Sequence, residues 1–165
     1  MYKTRVFLSI LFILLSSLYL LSFSPFLSRS EAYAGSGLTL PDVSGWACGE
    51  LRTTVLDTAS GNQGVWMERE YRTTSGGKLR AILMDTDSPK IEPDSGDYSE
   101  PGWSRRSLVI LGHPATAESG PLGASVIVKL GKAYLRLESD PYGLPADDLT
   151  EAASVLVTLI QSKTP

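Results

Sequence analysis

Thiol or imidazole chemistry in this 165-residue chain would have to run through two residues, because Cys48 is the only cysteine and His113 the only histidine. A thiolate beside an imidazolium is a strong nucleophile, so a Cys48–His113 pair would define a small hydrolase. No Gly-x-Ser-x-Gly elbow offers a serine instead. The preferred reading is plainer. It makes Cys48 a small buried hydrophobe beside Trp46, and His113, followed directly by Pro114, an ordinary loop residue. One cysteine and one histidine also fall short of a zinc set. The acids Asp85, Asp87, Glu92, Asp94, Asp97 and Glu100 are hard oxygen donors with Gly96 among them, but their spacing departs from the Asp-x-Asp-x-Asp-Gly calcium loop with its distal Glu. They are read as a solvated acidic loop, and no catalytic, cofactor or metal residue is assigned.

Trp66 and Trp103 are the other residues with functional promise, since exposed aromatics supply contact area at low entropic cost. The competing expectation is that a further strand or the long acidic loop covers Trp66.

The N-terminus suggests a compartment. Lys3 and Arg5 precede an apolar run from Val6 to Phe23, Pro25 breaks it, and Ala32-Tyr33-Ala34 places small residues two apart ahead of Gly35. This is the pattern of a secretory signal peptide. A run of about 18 apolar residues also suffices for an uncleaved anchor, and either way the basic end stays cytoplasmic and the body is exported. The expected organisation is residues 1–34 as signal peptide or anchor, 35–45 as linker and lead-in, and 46–165 as one globular domain. Cutting after Ala34 would remove Lys3, Arg5, Arg29 and Glu31, three cations and one anion, and move the formal net charge from −3 to −5. That charge disfavours nucleic acid, and membrane contact is expected only through residues 6–23 if they are retained. A lone cysteine allows no intramolecular disulfide, so the fold must rest on its core.

The elements that position these residues read as strands followed by one helix. In Val126–Glu138 a two-residue loop at Gly131-Lys132 would put Leu130 opposite Ala133, Val128 opposite Leu135 and Val126 opposite Leu137. One face is then wholly apolar and the other carries Ile127, Lys129, Tyr134, Arg136 and Glu138. Residues 65–85 read as a second hairpin around Ser75-Gly76-Gly77, with Thr74 opposite Lys78 and Tyr71 opposite Ala81. Val65, Met67, Tyr71, Leu79, Ala81 and Leu83 share its inner face, Arg69 being the exception. Leu51–Asp57 is a weaker first strand with Leu51 and Val55 on one side. The short apolar run 108–111 reads as a central strand covered on both faces, and Gly112-His113-Pro114 and Glu118–Pro121 as loop boundaries. Residues 85–106 carry three prolines and repeated acids and read as a long loop. From 145 to 161 the period becomes helical. Leu149, Ala152, Ala153, Leu156, Leu159 and Ile160 form the buried stripe, with Glu151, Ser154, Thr158 and Gln161 opposite.

The expected architecture is therefore α+β, a single antiparallel sheet of about five strands with the helix on one face. The Leu40–Trp46 lead-in, the Tyr71–Gly77 hairpin tip and the terminal helix together resemble small exported domains associated with exopolysaccharide or sorting systems, without a motif that carries a role to any residue. The functional expectation is an exported, periplasmic or secreted, non-catalytic module. It would bind a protein or envelope component through the acidic loop 85–106 or the outer strand face. The alternatives are the Cys48/His113 hydrolase and a carrier of an apolar ligand between helix and sheet.

Overall fold

The computed structural model describes residues 36–57, 63–86 and 101–162. Segments 1–35, 58–62, 87–100 and 163–165, and with them the expected signal segment and most of the acidic loop, lie outside the described residues. Among the described residues the strands are β1 (Ala47–Cys48), β2 (Arg52–Asp57), β3 (Gln63–Arg72), β4 (Lys78–Thr86), β5 (Ser104–Ile110), β6 (His113–Gly120), β7 (Gly123–Leu130) and β8 (Ala133–Ser139), followed by one helix, α1 (Ala146–Ser162). They form one sheet in the order β1-β3-β4-β8-β7-β6-β5, with β2 beside β1 along the same edge of β3. Every pairing is antiparallel. The α+β class thus holds, with eight strands in place of about five.

The β7–β8 hairpin has the expected register, Leu130 facing Ala133, Val128 facing Leu135 and Val126 facing Leu137. Gly131 takes φ 66° while Lys132 stays out of the positive region, the pattern of a type II′ turn. Its apolar face receives α1, which buries Leu149, Ala152, Ala153, Leu156, Val157 and Ile160. Leu159 is only half-buried and Val157 takes its place in the stripe. Each fully buried aliphatic contributes roughly 1.5–3 kcal/mol. The helix therefore anchors the β5–β8 half of the sheet.

Three readings are corrected. The β3–β4 loop has the expected length and bulged type but lies one residue earlier. Thr73 accepts from the Gly76 N–H and donates to the Gly77 carbonyl, both at 2.9 Å, and Tyr71 consequently faces Leu79 instead of Ala81. Gly76 supplies the left-handed position at φ 86°, and Gly77 lies against Leu144, where a Cβ would sit 2.2 Å from Cδ2. Moving the loop by one residue displaces each cross-strand partner by two, so the inner and outer sets are preserved. Next, the run 108–111 is no central strand. It belongs to β5, the far end of the described sheet, where Val109 is 70 % exposed and Leu111 sits in the turn. Finally, His113–Gly120 is a strand. Its inward residues Ala115 and Ala117 are small because the helix passes over them, which left little hydrophobic alternation to read. Pro114 fits because β6 pairs with β7 only from Ala115 onward, so no ladder bond is asked of its nitrogen.

The helix does not cover β3 and β4. That part of the inner face is closed by the lead-in, from which Leu40 and Val43 are buried and Leu38 and Trp46 pack on the core. Arg69 explains its place among apolar neighbours. Its Nε donates to Gly49 O at 2.8 Å, one terminal nitrogen donates to Leu40 O at 3.3 Å, and the other pairs with Asp42 at 2.5 Å. Its guanidinium lies 5.6 Å from the Tyr71 ring centroid, and Tyr71 Oη donates to Pro41 O at 2.8 Å. Trp46 meets that ring edge-on at 5.8 Å.

Burial pushes the Tyr71 phenol well above its ordinary range, with Arg69 opposing. The unfolded chain ionises this phenol near pH 10 and the folded chain does not, so its contribution is complete below about pH 10 and is lost as pH rises further. Tyr71→Phe should flatten the alkaline limb of the stability curve by at most about 1.4 kcal/mol per pH unit. Denaturant titrations between pH 9 and 11.5 give the slope, and parallel limbs for the two proteins would contradict this account.

Candidate binding face

The helix and lead-in cover one face of the sheet, and the other carries the polar side chains. Antiparallel register stacks outward residues into rows across the strands. One row runs Glu70, Arg80, Glu138, Ser125, Glu118, Arg105 over six strands. The next runs Arg52, Glu68, Ile82, Arg136, Ile127, Thr116, Ser107, and a third places Thr54, Trp66, Met84, Tyr134 and Lys129 side by side.

Glu138 is the hub. It pairs with Arg80, whose Nε lies 3.1 Å away, and with Arg136 Nε at 2.6 Å. Arg80 also approaches Glu68 at 3.9 Å, and Arg105 Nε meets Glu118 at 3.3 Å. The hydrogen bond to Glu138 outweighs burial and raises the Arg80 pKa further. Lys129 Nζ lies 5.7 Å from the Tyr134 ring centroid. Ile82 is only 5 % exposed although it faces outward, and its row neighbours are Glu68 and Arg136.

Across the first row opens a cleft of about 910 Å³ whose lining includes Glu70, Arg72, Lys78, Arg80, Glu118, Arg136, Glu138 and Asp140, with Trp103 and Leu122 at the β6–β7 end. Trp103 is exposed, and its ring packs on Gly120, where a Cβ would sit 2.4 Å from the indole. Leu122 is 78 % exposed. The cleft thus offers alternating charges beside an apolar lip. Trp66 lies on the same face, half-buried between Thr54 and Met84.

The structure does not bring the catalytic candidates together. Cys48 lies in β1, its thiol 3.7 Å from Trp46 O and 3.9 Å from Val43 O. His113 opens β6, five strands away, or roughly 24 Å at the usual strand spacing. Its Nε2 lies 2.7 Å from the Gln161 side-chain amide nitrogen. Of the six acids only Asp85 is described. It ends up buried in β4, and Ser104–Arg106 likewise belong to β5, so the loop is shorter at both ends than 85–106. Among the described residues no three His, Cys, Asp or Glu side chains converge as a metal set, and no helix is long and apolar enough to cross a membrane. The outward positions of the two expected hairpins already contained Glu68, Glu70, Arg80, Arg136 and Glu138. Glu118 was missed because β6 was read as loop.

Comparison with protein-family models, curated proteins and solved structures finds no match to this chain.

Proposed function

We propose that this chain is an exported, non-catalytic module that binds a protein or envelope component through the outer face of its sheet. The observation that carries this reading is the sheet face that no described element covers, with its alternating row of charges and the cleft across it. Half-exposed ion pairs of this kind contribute roughly 0–1 kcal/mol each to folding, so stability alone gives little reason for such a network. Complementary charges do confer specificity on a partner. The hydrolase alternative loses support from the separation of Cys48 and His113. The carrier alternative loses support because Val126, Val128, Leu135, Leu137, Leu149 and Leu156 fill the helix–sheet layer at 0 % exposure.

Reversing Arg80→Glu together with Arg136→Glu should reduce cross-linked capture of a partner from the native envelope at least tenfold while the domain stays folded by circular dichroism, its melting temperature lowered by the like charges now facing Glu70 and Glu138. Cys48→Ala with His113→Ala should leave capture intact. If capture survives the charge reversal and is instead lost when Lys90–Gly102 is replaced by a Gly-Ser linker, binding belongs to the loop.

A further inference from the structure

One pair of cations in the cleft stands outside its ion-pair network. Arg72 and Lys78 lie directly opposite each other across β3 and β4, both exposed and both lining the cleft. Arg80, Arg105 and Arg136 in the neighbouring rows each meet a glutamate, whereas among the described residues neither Arg72 nor Lys78 makes an ion pair or a side-chain hydrogen bond. Like charges facing each other across a ladder are destabilising, a cost that two serines would avoid. The apolar lip lies at the same end of the sheet. Arg80 faces Glu138 and Ala124 faces Ser139, so continuing these registers brings Lys78 and Gly123 level with Asp140 from its two sides, and Leu122 directly precedes Gly123. At the usual strand spacing the backbones of Lys78 and Arg72 are about 10 and 14 Å from that of Gly123. An extended chain covers that span in about three or four residues.

We propose that this corner of the cleft takes an extended peptide segment of a partner protein, whose aspartate or glutamate binds between Arg72 and Lys78 while an apolar side chain three or four residues away packs on Leu122 and Trp103; this rests on the reading of the outer face as the binding surface. A carboxylate has two oxygens, and between these side chains it accepts from the Arg72 guanidinium and the Lys78 ammonium together. A repulsion is thereby replaced by two charge-assisted contacts. The surrounding charges decide what kind of acid fits. Glu70 and Asp140 also line the cleft beside the pair, and the chain as a whole carries a formal net charge of −3. A polyanion threaded along the cleft would meet like charges on either side of the cations, whereas a segment with one acidic position among uncharged residues meets none. Leu122, 78 % exposed beside Trp103, supplies the matching surface for the apolar side chain.

The test measures fluorescence anisotropy of labelled peptides with the full chain in detergent. The probes are Leu-Ser-Thr-Glu-Ser and Leu-Ser-Thr-Ser-Glu-Ser, capped at both ends, each with a version carrying Gln for Glu. At least one Glu peptide should bind, more weakly as salt is added, and its Gln version should bind about tenfold less well. Arg72→Ser with Lys78→Ser should lose the same factor while melting no lower than the native chain, because it removes a like-charge pair. Leu122→Ser should weaken binding about fivefold. No binding of either Glu peptide at millimolar concentration, or undiminished binding by the folded double variant, would overturn the proposal. Tighter binding of a tetragalacturonate than of both peptides would assign the corner to an acidic glycan and overturn the peptide. Envelope capture lost in Arg80→Glu with Arg136→Glu but unchanged in Arg72→Ser with Lys78→Ser would overturn this corner and leave the outer-face reading standing. Capture indifferent to both pairs would overturn the two together.

Discussion

Leu156→Asp is expected to unfold the domain, whereas Thr158→Asp, two residues along the same helix, leaves it folded. Leu156 is 0 % exposed at the centre of the layer between α1 and the sheet. The substitution removes an aliphatic side chain worth roughly 2–5 kcal/mol and strands a carboxylate where nothing pairs it. A loss of more than about 4 kcal/mol exceeds or nearly exhausts the stability of a marginal single domain. Thr158 is exposed and its hydroxyl bonds back to Ser154 O at 2.9 Å. Its replacement should cost about 0.5 kcal/mol, including the mild penalty of an anion toward the helix C-terminus. Circular dichroism melts separate the two outcomes, and similar shifts would show that the buried face of α1 is wrongly assigned.

Gly123→Ala should be the most damaging single methyl group that can be added to the sheet. Gly123 closes the β6–β7 turn opposite Gly120 and holds φ 124°, a region closed to residues with a Cβ. A Cβ there would sit 2.0 Å from the Ser139 carbonyl oxygen, which is backbone and has little room to yield. Strain and overlap together should cost about 3 kcal/mol, seen as a melting temperature about 10 °C lower. Gly131→Ala provides the contrast. It also has positive φ, at 66°, but a Cβ at this position would meet nothing within 4 Å, so only about 1 kcal/mol of backbone strain is expected. Equal losses at the two positions would mean that the contact with Ser139 O is not what makes Gly123 necessary.

The parts of this fold that were legible from sequence are those in which local geometry and burial agree. Between Val126 and Glu138 a glycine-initiated turn and strict alternation impose one register, and the structure has that register. In α1 the apolar period locates the buried stripe, with only Leu159 and Val157 exchanged. Between Val65 and Asp85 two adjacent glycines permit two bulged loops. Contact with Leu144, 67 residues beyond Gly77, accompanies the one adopted, and no local pattern reveals it. β6 escaped notice because its burial is against a helix close enough to require alanine. The candidate face was half legible: the charges on β3, β4 and β8 follow from the hairpins, but their joining into one row follows from the pairing of Arg80 with Glu138, 58 residues apart.

That pairing has a consequence for how the molecule is assembled. β5 to β8 are joined in sequence by two-residue turns and α1 folds back on them, so this half consists of short-range contacts that form quickly. The chain leaves β4 in mid-sheet and re-enters at the far end of the described sheet, so β4 meets β8 across the whole sequence length of that meander. The β4–β8 seam is therefore a late-forming joint between two sequence-contiguous halves. Because closure entropy rises by only about 0.6 kcal/mol for each doubling of a connection, lengthening the stretch between β4 and β5 should be thermodynamically mild. Severing it would turn one polypeptide into two fragments whose reunion depends on concentration, with the row through Arg80 and Glu138 as the line along which they recognise each other.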